Sequence, residues 1–127
     1  MARILVIDDD QAVRLTMEVI LEQEGYDLVF ANDGEQGIRQ FERAAPDLVI
    51  SDIIMPNKEG IETITAIRLR NPLTPIIAIS GGGRIGNTDF LTMALQVGAN
   101  EVLAKPFEHE ELTGAVRRLI AQAARQP

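Results

Sequence analysis

The chain has no cysteine and no tryptophan, a single histidine, and few aromatic residues, which make up 4% of its 127 positions. Without cysteine there is no disulfide, no thiolate nucleophile and no cysteine-ligated metal site. The core must be built from aliphatic side chains, which are plentiful because 46% of the residues are hydrophobic. A chain of 127 residues suits one compact domain.

Positive charge and long apolar stretches are also scarce. Twelve Lys and Arg against nineteen Asp and Glu give a formal net charge of -7, and an acidic surface repels the phosphates of nucleic acids. The apolar runs are only a few residues long, too short to span a bilayer, and residues 4–7 are too short for a signal-peptide core. We therefore expect a cytoplasmic domain that neither binds nucleic acid directly nor inserts into a membrane.

Compact apolar runs alternate along the chain with segments of helical periodicity. In the fourth such segment the apolar residues Phe90, Met93, Ala94 and Val97 share one predicted face. Strands that alternate with helices indicate a parallel sheet covered by helices on both sides, which is an α/β fold. The predicted strands are residues 4–7, 26–31, 48–51, 75–80 and 100–104.

Several residues mark where the predicted helices begin and end. Asp10 is placed to cap the first helix, and Asn32 and Glu35 have capping-box spacing at the second. Gly25 and Gly98 are natural stops for the first and fourth helices.

Polar residues follow four of the predicted strands where each ends. They are Asp8 and Asp9 after the first strand, Asp52 after the third, Ser80 at the end of the fourth and Lys105 after the fifth. The carboxyl ends of parallel strands lie at one edge of the sheet, where such folds bind ligands. Each residue alone has an ordinary explanation, since Asp starts turns and Ser is common in loops. Their joint position at strand ends indicates a site.

The residue types in this set suit phosphoryl transfer. Clustered carboxylates repel one another and need a proton or a cation among them. Oxygen ligands without His or Cys suit a hard ion, Mg²⁺ or alternatively Mn²⁺. The Lys105 ammonium can hold a phosphoryl oxygen and the Ser80 hydroxyl can hydrogen-bond another. Asp52 then supplies a carboxylate nucleophile.

The chain resembles the receiver domains of bacterial two-component response regulators. The resemblance rests on residues 4–9, 47–52 with Met55 and Pro56, 77–80, and 105–107. It implies a flavodoxin-like (βα)5 fold with strand order 2-1-3-4-5 and a cis peptide before Pro106. One receiver domain is expected over residues 1–127, with no output domain in this chain. A stand-alone regulator and an excised receiver both fit.

The resemblance also implies roles for the site residues. Asp52 would be the phosphoacceptor, Ser80 the hydroxyl that moves toward the phosphoryl group, and Lys105 the cation that binds it. The implied ligands of Mg²⁺ are Asp8, Asp9, Asp52 and the backbone carbonyl of Ile54.

Such a domain works as a phosphorylation-activated signalling switch. Its phosphoryl donor would be a histidine kinase or a histidine phosphotransfer protein. A downstream protein would bind the face formed by the fourth helix, fifth strand and fifth helix, and a homodimer formed on phosphorylation is also open. The domain would not be an enzyme in the ordinary sense, since it would catalyse only its own phosphorylation and dephosphorylation.

Three features depart from the family's usual pattern. Val102 occupies a position that usually carries Tyr or Phe, so an aromatic switch there is impossible. The number of residues between Ser80 and Lys105 is larger than is usual in the family, and the extra residues fall in the glycine-rich segment 81–86. Ile54, two residues after the implied acceptor, is apolar where many members are polar. In the family this position lines the path of the water that hydrolyses the aspartyl phosphate, so the lifetime of that phosphate is not predicted.

Three other classes of protein share part of the pattern. A small Mg²⁺-dependent phosphatase of the haloacid dehalogenase type also uses an Asp nucleophile, but residues 8–12 lack the Thr or Val of its motif. A flavodoxin-like FMN protein would need a Ser/Thr-rich phosphate loop where this chain has three aspartates. A pseudo-receiver that takes no phosphate is the third, and the complete five-residue set argues against it.

Overall fold

A computed structural model of the chain describes residues 2–53, 59–80 and 88–125, in which strands and helices alternate five times. All five predicted strands are confirmed, each to within one residue at either end. The strands are β1 (Arg3–Ile7), β2 (Asp27–Ala31), β3 (Leu48–Asp52), β4 (Ile76–Ser80) and β5 (Glu101–Ala104). The helices are α1 (Gln11–Gln23), α2 (Gly34–Ala44), α3 (Glu59–Arg70), α4 (Thr88–Val97) and α5 (His109–Ala124).

The strands form one parallel sheet in the order β2-β1-β3-β4-β5, which confirms the flavodoxin-like order that the resemblance implies. In the sheet register Ile7 lies beside Ser51, and Asp52 lies beside Ile79. Ser80 in turn lies beside Ala104. The carboxyl ends of β1, β3, β4 and β5 therefore meet at one edge.

Apolar side chains fill both faces of the sheet, as continuous apolar strands require. Leu5, Ile7 and Val49 point to the cluster under α2, α3 and α4. Ile4 and Ile50 point to the cluster under α1 and α5. All five are at most 1% exposed. Each such burial contributes up to about 1.5–3 kcal/mol, so the strand ends that carry the polar residues are held firmly.

The cap and stop residues predicted for α1 and α4 are confirmed. Asp10 precedes α1, and its Oδ1 accepts from the backbone N–H of Ala12 at 2.9 Å. Gly25 and Gly98 follow α1 and α4 with φ of 89° and 126°, a conformation in which a Cβ would be strained.

The capping box predicted for α2 is wrong by one residue. Asp33, and not Asn32, precedes α2 and accepts from the backbone N–H of Gln36 at 2.8 Å. The side chain of Gln36, and not of Glu35, returns to the backbone N–H of Asn32 at 3.2 Å. Asn, Asp, Glu and Gln serve almost equally in such a box, so spacing alone left two registers open.

None of the helices in the described ranges is long and apolar enough to cross a membrane.

Candidate functional site

Three carboxylates meet at the carboxyl edge of the sheet. Asp8 and Asp9 follow directly after β1, and Asp52 is the last residue of the adjacent strand β3. One oxygen from each lies within 4.8 Å of the others. Asp8 and Asp52 are 1% and 3% exposed, whereas Asp9 is open to solvent. Repulsion in such a cluster is relieved by a bound cation or an adjacent positive side chain.

Backbone contacts fix the position of Asp8. Its N–H donates to the carbonyl of Ala31 at 3.1 Å, which extends the pairing of β1 with β2. Its Oδ1 accepts from the N–H of Asp10 at 2.9 Å. Its carbonyl accepts from the guanidinium of Arg14 on the first turns of α1. Arg14 was not predicted to contact the site. Its position four residues after the Asp10 cap, in the first turn of α1, is the signal that could have placed it over the turn that carries Asp8.

Lys105 supplies the positive charge inside the cluster. Its Nζ lies 3.1 Å from Oδ2 of Asp8 and 3.4 Å from Oδ2 of Asp52, and its side chain is only 19% exposed. Burial alone would lower the pKa of Lys105, but the Asp52 and Asp8 carboxylates outweigh it and raise the pKa above its usual value. The ammonium is therefore charged at neutral pH. The peptide between Lys105 and Pro106 is cis, as the resemblance implies.

Ser80 lies at the same edge on β4. It is one position beyond Ile79, the neighbour of Asp52 in the register, and it is partly buried. Its carbonyl accepts from the N–H of Lys105 at 2.9 Å, so these two residues are adjacent in space. The structure thus brings together all five residues that were predicted from strand ends.

Two predicted features lie outside the described residues. The first is the segment with Ile54, Met55 and Pro56, which includes the backbone carbonyl of Ile54 that was implied as a metal ligand. The other is the glycine-rich segment 81–86.

The start of α3 lies directly against the end of β3. A Cβ placed on Gly60 would be 2.3 Å from the Cα of Ile53 and 2.5 Å from the carbonyl oxygen of Asp52. Real Cβ atoms essentially never approach backbone atoms this closely. The absence of a side chain at Gly60 is therefore part of what places Asp52.

Val102 is partly buried on the face of β5 toward α4. It packs against the cluster that contains Ala94 and Ala99, as does Val97. Its side chain is branched at Cβ and stiff at χ1. It is therefore a small packing residue.

The donor set fits a hard divalent cation. Three oxygen ligands converge, with an ammonium at one side, and neither His nor Cys is among them. Asp8, Asp9 and Asp52 could hold such an ion, and Mg²⁺ is the ion that the resemblance to receiver domains implies.

A family model decides between the classes that use such a site. The model described as the response regulator receiver domain matches residues 4–117. The chain belongs to this family. As a receiver domain it is a phosphorylation-activated signalling switch. The phosphatase, FMN and pseudo-receiver alternatives are not favoured.

Individual relatives agree with the family match. The chain is 33% identical to the transcriptional regulatory protein CpxR of Escherichia coli over 123 residues, which cover 97% of this chain and 51% of that protein. It is 28% identical to the alkaline phosphatase synthesis regulator PhoP of Bacillus subtilis over 121 residues, 95% of this chain and 49% of that one. The chain thus spans about half the length of these curated relatives.

Solved structures show the same fold. A CheY-like receiver domain protein from Methanospirillum hungatei superposes with a TM-score of 0.91 at 25% identity, covering 100% of this chain and 99% of the other. A receiver domain from Clostridium thermocellum gives 0.89 at 29% identity, with 98% of both chains covered.

Proposed function

We propose that Asp52 is the residue that accepts the phosphoryl group. The observation that carries the proposal is the convergence of Lys105 with the buried carboxylates Asp8 and Asp52 in the family's arrangement. Asp52 ends the central strand β3, where the rigid sheet holds its carboxylate for in-line attack.

The proposed step transfers a phosphoryl group from a phosphohistidine. An Asp52 oxygen forms a bond to phosphorus as the bond from phosphorus to the imidazole nitrogen breaks, and that nitrogen leaves with the electron pair. The Lys105 ammonium, now shared by Asp8 and Asp52, then pairs with a phosphoryl oxygen. The Ser80 hydroxyl donates to another. The proposed catalysis is limited to the domain's own phosphorylation and dephosphorylation.

Asp8, Asp9 and Asp52 are the proposed ligands of Mg²⁺, with Mn²⁺ as the alternative. The carbonyl of Ile54 completes the set that the family implies. The ion would neutralise the charge that gathers on the phosphoryl oxygens. A negatively charged donor could otherwise approach these three carboxylates only against their repulsion.

The donor is proposed to be a histidine kinase or a histidine phosphotransfer protein. The proposed contact for a downstream protein is the face of α4, β5 and α5. Its support is the exposure of Met93 and Leu95 on α4, at 37% and 48%. Arg118 of α5 also pairs across this face with Glu101 of β5 at 2.8 Å. A second copy of the chain is an alternative occupant.

The experiment is incubation with phosphoramidate, a small phosphodonor, with and without Mg²⁺. We expect one hydroxylamine-labile phosphoryl group per chain, formed only with the metal, and none on Asp52→Asn. The matched control is Asp47→Asn. Asp47 immediately precedes the same strand at its opposite end and accepts from the backbone N–H of Arg3 at 2.8 Å. Equal labelling of the two variants would contradict the proposal.

A further inference from the structure

The guanidinium of Arg68 lies where three elements end, away from the carboxylate cluster. Arg68 belongs to the last turn of α3. Its Nη1 donates to the carbonyl of Asn71 at 3.1 Å. Its Nη2 donates to the carbonyl of Gly98 at 2.7 Å and to Oδ1 of Asn100 at 3.1 Å. Because Asn71 follows α3, Gly98 follows α4 and Asn100 precedes β5, one side chain joins two helix ends to a strand.

Asn100 carries this connection into the sheet. Its Oδ1 also accepts from the N–H of Ile76 at 2.8 Å, and its own N–H donates to the carbonyl of Ile76 at 2.8 Å. Ile76 is the first residue of β4. Arg68 is therefore tied to the amino-terminal ends of β4 and β5, at the edge of the sheet opposite Ser80 and Lys105.

Hydrogen bonds hold Arg68 at this position, since its three acceptors are all neutral. Burial lowers the pKa of the guanidinium, although the group stays charged at any ordinary pH. The carbonyl ends of α3 and α4 carry the negative ends of the helix dipoles, which favour a cation there. A Cβ on Gly98 would lie 2.9 Å from Nε of Arg68, so the side chain packs directly against that backbone.

The phosphorylation signal would enter α4 from the other end. α4 lies between β4 and β5 in the chain. Ser80 is the last residue of β4, and Lys105 directly follows β5. A phosphoryl group on Asp52 that contacts those two side chains acts on the carboxyl ends of the two strands. Val102 on β5 has a stiff side chain and offers no swinging group as another route. A displacement transmitted along the chain from β4 would enter α4 at its start, whereas Arg68 contacts the backbone at the other end of that helix.

We propose that Arg68 is a fixed anchor for the carboxyl end of α4, so that phosphorylation displaces the start of the helix and leaves its end in place. The proposal rests on the proposed function, because the displacement begins at phosphorylated Asp52. Arg68 is a positioning residue that touches none of the reacting groups. Its effect is on how the structural change is distributed along α4.

Hydrogen exchange read by mass spectrometry tests the anchor in the unphosphorylated protein. Arg68→Met keeps an apolar stem but loses all three donations, whereas Arg68→Lys keeps the charge and N–H donors but loses the planar fork that reaches three acceptors at once. The N–H of Ala99 donates to the carbonyl of Ala94 at 2.9 Å and reports on the helix end. Losing charge-assisted hydrogen bonds should speed exchange at residues 95–99 by about tenfold or more in Arg68→Met, and less in Arg68→Lys.

Arg70→Met is the matched control. Arg70 is on the same helix, but it contacts Glu42 at 2.9 Å and the carbonyl of Ala66 at 3.0 Å, both away from α4. Exchange at residues 95–99 should be unchanged in this variant. Residues 48–52 of β3 should exchange equally slowly in all four proteins, whereas a loss of global stability would speed exchange there too.

The same measurement after phosphorylation tests the consequence. In the wild type, exchange should change at residues 88–92 and not at 95–99, and in Arg68→Met it should change at both. The proposal is overturned if residues 95–99 exchange as slowly in Arg68→Met as in wild type. It is also overturned if phosphorylation alters residues 95–99 of the wild type. Absence of a phosphoryl adduct in every protein would instead overturn the proposed function, and the unphosphorylated comparison would still decide whether Arg68 anchors the helix.

Discussion

Gly60 is the second residue of α3 and lies against the backbone that carries the proposed acceptor. Its substitution by Ala would place a Cβ 2.3 Å from Cα of Ile53, 2.5 Å from the carbonyl oxygen of Asp52 and 2.8 Å from the carbonyl carbon of Ile53. Ordinary carbon contacts are about 3.5–4.0 Å, so the start of α3 must move away by roughly 1 Å. The atoms that it meets belong to the backbone and cannot rotate aside.

The expected loss of stability follows from two opposing terms. Overpacking of this kind costs about 1–3 kcal/mol, and the upper end applies because backbone meets backbone. Ala gains about 1 kcal/mol over Gly in a helix, which leaves a net loss of about 2 kcal/mol of folding stability.

The displacement also reaches the carbonyl of Asp52. Phosphorylation by phosphoramidate should slow by about tenfold or more, because misplacing a reacting group by about 1 Å greatly lowers the reaction rate.

Urea unfolding followed by circular dichroism measures the stability of this variant. Gly114→Ala in α5 is the control, because a Cβ there would meet only the Nη1 of Arg118, at 3.5 Å. It should be more stable than wild type by about 0.5–1 kcal/mol and should be phosphorylated at the normal rate. Equal stability of Gly60→Ala and Gly114→Ala would refute the reasoning.

Three further predictions concern the charges and the glycine at the end of α4. Lys105→Met should bind Mg²⁺ about fivefold more tightly in isothermal titration, because a unit charge about 4 Å away contributes about 1 kcal/mol even in water. Unchanged affinity would show that the ammonium does not compete with the metal. Wild type should gain about 2.7 kcal/mol of stability at a Mg²⁺ concentration of about 100 times the dissociation constant. Asp9→Asn should lose most of that gain at the same concentration, as read by urea unfolding. Gly98→Ala should lose about 1–2 kcal/mol, because φ of 126° strains any side chain there and the Cβ meets Arg68; an unchanged unfolding midpoint would contradict this.

Much of the fold follows from local patterns that the structure confirms. Continuous apolar runs such as 4–7 and 48–50 predicted buried parallel strands, because both faces of such strands are covered. The site followed from the same pattern, since parallel strands bring Asp8, Asp52 and Lys105 to one edge whatever their separation in sequence. Strand order came only from the resemblance to the family, because alternation of strands and helices does not determine which strands are neighbours.

Other features depend on contacts that a single sequence does not display. Met93 was predicted to face inward on α4, and it is 37% exposed. α4 carries apolar residues around most of its circumference, so periodicity could not decide which of them face the core. Phe90, predicted for the same face, has a side chain outside the described part of the chain. The contacts of Arg68 depend on the juxtaposition of three distant segments, which no local spacing reveals.

The central claim is that Asp52 accepts the phosphoryl group, and locating the covalent adduct tests it most directly. Borohydride reduces an aspartyl phosphate to homoserine, which tandem mass spectrometry can assign to one position. After phosphorylation with phosphoramidate and Mg²⁺, we predict homoserine at position 52 and at no other aspartate. Homoserine at Asp8 or Asp9, or at no position in a folded and Mg²⁺-loaded protein, would contradict the account.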